Sequence, residues 1–480
     1  MELNDLPEDE LLLVLALLAP VDLLRCRAVC RRWRVLALHP AVWRRQSFVW
    51  ESEADAATAR SVLRLAPCLG RLSIDMLALH HALPADMGHV LTTTACNVHG
   101  LECFADPYNT HLVIPIIERL GHCGRLTSLK VTFVPFGNGW EAALGTLLQH
   151  VLQTEGLHLL HVLIVDEDAS LQPVFPPIPP HISDAAVPAS LRRLHYEYEN
   201  SGVLDPFLQL LLTRHAATLE SVGVWTVDPR AGVLLSAMPH LRKLECLLQE
   251  DMRALALPPS LRTLDLDLCV HLETAEPGRV PGLEAFLHAA VVQLDELVLR
   301  CGRGSWTDDP EVVELVRCVG GARATGSVLR SLAFQSGRGH ATVILSPLAS
   351  ALAHLPRLAR LDIGCLPTAA FLEALDGAVL PELTELTVCL TSLRACEHRW
   401  MHSVEVRGLM GRYPRLHVVI QSVQYKDGCQ CKFCKMDCHD VPTKGPCLIY
   451  SHRRGSTSCE VNHKLTVGSE VCAEVCVNVI

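Results

Sequence analysis

Positive charge is in short supply. The 480-residue chain carries 42 lysines and arginines against 52 aspartates and glutamates, a net charge of −10 at pH 7. No sequence-wide cationic field is available to displace counterions from nucleic-acid phosphates, which excludes nucleic acid as an expected partner. Long apolar runs free of charge and proline are missing as well: none reaches the roughly 18 residues needed to cross a bilayer, so no membrane partner is expected. The short run from Leu11 to Val21 is preceded by Glu2, Asp5, Glu8, Asp9 and Glu10, where a secretory signal needs positive charge. Gly-x-Ser-x-Gly, His-Glu-x-x-His and Gly-x-x-x-x-Gly-Lys-Ser/Thr do not occur. Hydrolase, zinc-protease and phosphate-cradle chemistry lose their usual handles, and no catalytic residue is assigned.

Apolar residues are abundant, at 49% against 20% charged, so most of the chain is expected to fold around a large core. Its length calls for several domains or one repeat array. Of 81 leucines, 79 fall in residues 1–420 and 2 in residues 421–480, so the end differs in architecture from the body. The 21 cysteines divide as 13 in residues 1–428 and 8 beyond. An odd total without a signal or a disulfide spacing points to a reducing compartment, cytosol or nucleus.

Residues 7–18 read as a helix that is apolar nearly all round, with Pro7 and three acids at its start. Pro20 ends it, Asp22 can cap a second helix, and a third containing Trp33 and Leu36 closes at His39-Pro40. Three helices in about forty residues bury too little surface for independent stability, so a partner surface is expected. The sequence Leu6-Pro7-x-Asp9-Glu10-Leu11, then Leu15, Leu18, Asp22-Leu23, Val29-Cys30-Arg31-Arg32-Trp33 and His39-Pro40-Ala41-Val42-Trp43, resembles an F-box over residues 3–48. Valine at 42, where that family prefers leucine, is the one departure. The resemblance implies docking onto the Skp adaptor of a cullin-RING ubiquitin ligase. It carries over Leu6, Pro7, Leu11, Leu15, Leu23, Val29, Cys30 and Trp33 as contact positions. The plainer reading is that these helices cap the following domain, and the two are compatible.

From residue 69 a Leu-x-x-Leu-x-apolar hexad returns, led by Leu69, Val98, Leu126, Leu160, Leu191, Leu219, Leu241, Leu261, Leu294, Leu329, Leu358 and Leu383, with a weaker one at Leu416. Between hexads, Asp205-Pro206, Asp309-Pro310 and Ser346-Pro347 supply a capping residue followed by a first-turn proline. Strands therefore alternate with helices. No glycine-rich phosphate turn follows a hexad, which argues against a Rossmann-type sheet. The stretch resembles long, irregular leucine-rich repeats, although the family's asparagine or cysteine beyond the hexad occurs only as Cys269. The expected fold class is α/β: a three-helix F-box (3–48), a linker (49–60), an irregular leucine-rich-repeat-like solenoid of short parallel strands alternating with helices (61–425), and a poorly ordered Cys-rich tail (426–480).

Strand alternation places the two non-leucine positions around the last hexad residue on the concave face. Eight acids fall there, Asp75, Glu102, Asp166, Glu197, Glu245, Asp265, Asp267 and Asp362, against Lys130 and Arg300. An acidic face suits a basic protein substrate, with Trp225 and Phe104 as apolar anchors; the bland alternative is that the acids follow the overall charge. Residues 173–188 hold six prolines and read as an extended loop, either a partner-binding flap or an ordinary insertion. Cys429, Cys431, Cys434 and Cys438 have gaps that can enclose a structural zinc, or belong to a reduced tail; no other cofactor is expected.

The expected function is that of a non-catalytic substrate-recognition subunit of a Skp–cullin–F-box ubiquitin ligase. The alternative is a repeat-based interaction scaffold acting outside a ligase.

Overall fold

A computed structural model describes residues 6–75, 85–136, 139–165, 188–198, 205–225, 228–248, 251–268, 282–301, 310–320, 327–336, 344–390, 400, 403–413, 415–422, 448–453 and 474–479. The chain divides into two units, Met1–Leu241 and Arg242–Ile480.

The first unit opens with four short helices where three are expected: α1 (Glu8–Leu15), α2 (Pro20–Cys26), α3 (Arg31–Leu36) and α4 (Pro40–Trp43). Three acids lie in the first turn of α1, beside its positive dipole end. Pro20 opens α2 rather than merely ending α1, and Pro40 opens α4; each sits in a first turn, where its missing N–H costs nothing. The Cys30 Sγ caps α3 by accepting the Trp33 N–H at 3.4 Å.

A parallel sheet follows in chain order: β1 (Ser47–Trp50), β2 (Cys68–Asp75), β3 (Asn97–Ala105), β4 (Ser128–Phe133), β5 (Leu159–Ile164), β6 (Arg193–Tyr198) and β7 (Ser221–Val224). Helices α5 (Ala56–Leu65), α6 (Ala85–Thr93), α7 (Thr110–His122), α8 (Trp140–Gln153), α9 (Pro206–His215) and α10 (Pro229–Ser236) complete the alternation. Residues 49–60 are therefore not a linker. Their first two residues end β1, and Ala56 onward belongs to α5, which buries Ala59, Val62 and Leu63. The expected cap of α9 is present: Asp205 accepts the N–H groups of Phe207 and Leu208 at 2.8 and 2.9 Å.

The second unit has a further parallel run, β8 (Lys243–Leu247), β9 (Thr263–Asp267), β10 (Glu296–Cys301), β11 (Ser331–Ser336), β12 (Arg360–Asp362), β13 (Glu385–Leu390) and β14 (His417–Ser422). Its helices are α11 (Leu283–Gln293), α12 (Pro310–Val319), α13 (Leu345–Leu352), α14 (Ala369–Ala374) and α15 (Val404–Arg412). Ser346 lies inside α13 and does not cap it. Part of the Cys-rich tail joins the sheet: β15 (Leu448–Arg453) runs antiparallel to β14, and β16 (Glu474–Val479) runs parallel to β15. This arrangement is consistent with a leucine-rich-repeat solenoid behind an amino-terminal helical module.

The hexad is the core. Its leading residues Leu69, Val98, Leu126, Leu191, Leu219, Leu241, Leu261, Leu294, Leu329, Leu358, Leu383 and Leu416 are each at most 2% exposed. Burying one such side chain is worth about 1.5–3 kcal/mol. At β14, Val418 pairs with Leu386, so Leu416 sits one residue off the common phase. Among the other leaders only Leu160 is out of phase. It pairs with Leu129 of β4, the second leucine of its hexad, so the β5 hexad starts three residues earlier at Leu157, which is 3% exposed. Asp309, Cys269 and residues 173–187 of the proline-rich segment lie outside the described residues.

Candidate protein-interaction surfaces

In the helical module, Leu11, Leu15 and Leu23 are each 0% exposed. They form the module's own core with Leu36, Ala37, Val42 and Trp43, whose indole N–H donates to the Ala37 carbonyl at 2.6 Å. This corrects the expectation that these three leucines meet a partner: side chains turned inward cannot touch one. Of the remaining expected positions, Val29 is 65% exposed, Pro7 is exposed, and Leu6, Cys30 and Trp33 are half-buried. The apolar side chains that do face solvent include Leu13 (71%), Leu17 (87%) and Val35 (69%). Sequence reading missed them because a helix apolar nearly all round does not announce which stripe is inside.

The module is also seated on the sheet. Gly70 of β2 donates its N–H to the Gln46 carbonyl at 2.9 Å, and the Cys68 thiol lies 3.6 Å from the Pro40 carbonyl. A Cβ at position 70 would stand 2.6 Å from the Arg44 carbonyl oxygen, so only glycine permits this approach. The capping role is thus realised within the chain.

On the sheet face of the first unit, register aligns Ser73, Glu102, Lys130, His161, His195 and Gly223 across six strands. Lys130 bonds Glu102 at 2.5 Å, and Arg71 lies 3.9 Å from the same carboxylate. His195 stands 3.4 Å from Glu197, and its ring meets that of His161 edge-on with centroids 4.3 Å apart. Burial, with His195 and Lys130 nearby, holds the His161 pKa down at about 4, so this imidazole is neutral at physiological pH. Trp225 follows β7, half-buried, its backbone N–H donating to the Tyr196 carbonyl at 3.3 Å; Phe104 is half-buried on β3.

This face is not acidic. Arg71, Lys130 and Arg193 balance Asp75, Glu102 and Glu197 at the aligned positions. The expectation fails here because it omitted the first outward residue of each strand, where Arg71 and Arg193 lie. Asp166 leaves the set too: with the β5 hexad starting at Leu157, the outward positions are His161 and Leu163, and Asp166 is outside the described residues.

The corresponding face of the second unit does carry an acid excess. Glu245, Asp265, Asp267, Glu296, Asp362 and Glu385 stand against Lys243, Arg300 and Arg360. Several of these acids are already engaged. Arg300 bridges Asp265 at 2.5 Å and Glu245 at 3.5 Å, and Arg360 lies 4.0 Å from Glu296. Asp265 and Asp267 are buried, at 3% and 7% exposure. Burial pushes the Asp265 pKa up to about 6 against the pull of Arg300. Asp362 is likewise raised to about 6 by burial, while the Gly364 N–H donates to it at 3.1 Å. The face offers carboxylates, but as paired or sunken groups rather than a free acidic field. Cys429, Cys431, Cys434 and Cys438 lie outside the described residues. No helix among the described residues is long and apolar enough to cross a membrane.

Residues 3–49 match the F-box-like family. The F-box-like module therefore coincides with the four-helix segment and reaches into β1. The search of curated proteins found no match. Among solved structures, the chain is similar to one described as "Crystal structure of TLR13-ssRNA13 complex", at 14% identity and a TM-score of 0.30. The match covers 75% of this chain and 55% of that one, so the chain spans about half the length of that protein.

Proposed function

We propose that this protein is a non-catalytic substrate-recognition subunit of a Skp–cullin–F-box ubiquitin ligase. The observation that carries the reading is an F-box-like module that keeps bulky apolar side chains, Leu13, Leu17, Val29 and Val35, in solvent after its own core is satisfied. Exposed apolar side chains on a small helical unit suit insertion into a partner's groove. In this reading Pro7 and Trp33 join them on the Skp adaptor, and the repeat sheets hold a protein substrate. Where the second unit's acids are neither paired nor buried, they favour a substrate with basic segments. The subunit contributes no acid, base or nucleophile; it raises the effective concentration of target lysines near a charged conjugating enzyme. It works in the cytosol or nucleus, where its cysteines stay reduced: burial pushes the Cys96, Cys103 and Cys246 thiols up to about 12, which keeps them inert. A structural zinc on Cys429, Cys431, Cys434 and Cys438 remains part of the proposal and needs metal analysis of the purified chain.

The seating of α4 on β2 also supports a capping role, which the scaffold reading shares. Co-purification with the Skp adaptor and cullin separates the two. The intact chain is expected to capture both, and Leu17→Asp combined with Val35→Asp is expected to abolish capture. Absence of capture by the intact chain overturns the ligase reading.

A further inference from the structure

At the edge of the second unit where its strands begin, Arg242, Arg262, Asp295 and Arg330 occupy equivalent positions, one residue before β8, β9, β10 and β11. Paired backbone hydrogen bonds lock them in step. Arg262 and Thr263 donate to the Arg242 carbonyl, both at 2.9 Å. Asp295 and Glu296 donate to the Arg262 carbonyl at 2.9 and 3.1 Å, and Arg330 and Ser331 to that of Asp295 at 2.9 and 3.0 Å. With strands about 4.8 Å apart, Arg262 and Arg330 stand roughly 10 Å apart across Asp295.

A pocket of about 510 Å³ opens at this edge, and Arg357 reaches it from the turn ahead of β12. Three arginines and one acid, Asp295, thus line the pocket, with Val292 and Val328 as the apolar part of the wall. The Arg262 Nη1 donates to the carbonyls of Pro259 and Leu261 at 3.0 and 2.8 Å, which holds that side chain in place. The exposed side chains of Arg330 and Arg357 close no hydrogen bond or ion pair among the described residues, even though Asp295 lines the same pocket. Their planar forks are left unspent. A lone carboxylate has two oxygens and one charge and is satisfied by a single fork. A phosphoryl group brings three acceptor oxygens and nearly two charges, which matches a lining of three arginines with a local excess of two positive charges.

We propose that the pocket formed by Arg262, Arg330 and Arg357 binds a phosphoryl group, with Val292 and Val328 contacting the carrier beside it. This site is distinct from the F-box-like surface and does not depend on the ligase reading. It places anion recognition on the strand-start edge of a chain whose net charge is negative.

The test is calorimetric titration of the full chain, at physiological ionic strength, with two probes: inorganic phosphate, and a short Gly-Ala peptide carrying one phosphoserine. The same peptide with unmodified serine is the blank. Saturable binding of a phosphorylated probe but not the blank is expected. Arg330→Gln and Arg357→Gln should each weaken it about tenfold, the scale of one charge-assisted hydrogen-bonded pair. Arg330→Lys should recover only part, because it restores charge without the fork. Asp295→Asn should tighten binding by removing the like charge, and Arg64→Gln on α5 should change nothing. Tighter binding of the peptide than of phosphate identifies a phosphorylated segment as the source; equal binding identifies a free phosphate compound, and both support the site. Absence of saturable binding, or equal weakening by Arg64→Gln, overturns it. Because the titration contains no adaptor, its failure is distinguishable from failure of adaptor capture.

Discussion

Arg300 and Asp265 show how the sheet face handles charge at the level of single residues. The Asp265 side chain is almost completely buried, its Oδ2 meets Arg300 at 2.5 Å, and its Oδ1 has no hydrogen-bond partner. The raised pKa means that between about 4 and about 6 the folded chain holds a proton that the unfolded chain has released. The folded state binds more protons there, so this group makes stability fall as pH rises through that window and adds no further slope above it. Asp362 acts in the same direction over the same window. Arg300→Gln should remove the pull that keeps Asp265 ionisable, raising its pKa further and extending the loss of stability to higher pH. At about pH 8 the cost should be about 1–3 kcal/mol, the range for stranding a buried polar group, and it should shrink at about pH 5. Urea unfolding midpoints at the two pH values check this; equal costs at both would show that Asp265 is not the responsible group.

At the level of elements, the hexad was readable because an apolar residue at a fixed phase, nearly always leucine, leads each strand from β2 to β13, and the period survives variable helices. What it could not show is where a different physical device takes over. β1 has no hexad; the run Ser47-Phe48-Val49-Trp50 buries Phe48 and Trp50 and leaves Val49 48% exposed, a strand fixed by pairing with β2 rather than by repeat spacing. At β5, the leucines at 157, 160 and 163 allow the hexad to start at either Leu157 or Leu160, and only pairing with Leu129 decides between them. That ambiguity hid His161 from the sequence reading, while acids drew attention away from His195 beside it. The turn after β12 is another such device: Gly364 has φ +56°, and a Cβ there would stand 2.3 Å from the Phe334 carbonyl oxygen. Gly364→Ala should therefore cost about 1–3 kcal/mol, combining a left-handed backbone with a backbone clash between neighbouring repeats. Thermal unfolding measures it, and an unchanged midpoint would mean that the turn relaxes freely.

For the molecule as a whole, the F-box-like module has two faces with different physical jobs, and the sequence motif blends them. Leu11, Leu15 and Leu23 are motif residues because the module needs a core, whereas Leu13, Leu17 and Val35 are the ones solvent can reach. Trp43 and the Gln46 carbonyl then tie that core to β2, with the Gln46 amide reaching back to the Ala16 carbonyl at 3.1 Å. Removing residues 1–46 would thus do more than delete the proposed docking surface: it would uncover the β2 backbone at Gly70 and strip the cover from β1. The truncated chain should unfold several degrees below the intact protein, since a loss of a few kcal/mol shifts the midpoint on that scale. Leu17→Asp with Val35→Asp should leave the midpoint unchanged, because both side chains already stand in water, yet lose the adaptor. Calorimetry paired with adaptor capture on the same two proteins separates the roles. A truncation that melts with the intact chain would mean that the module is a tethered plug, and a double variant that melts early would return Leu17 and Val35 to the core.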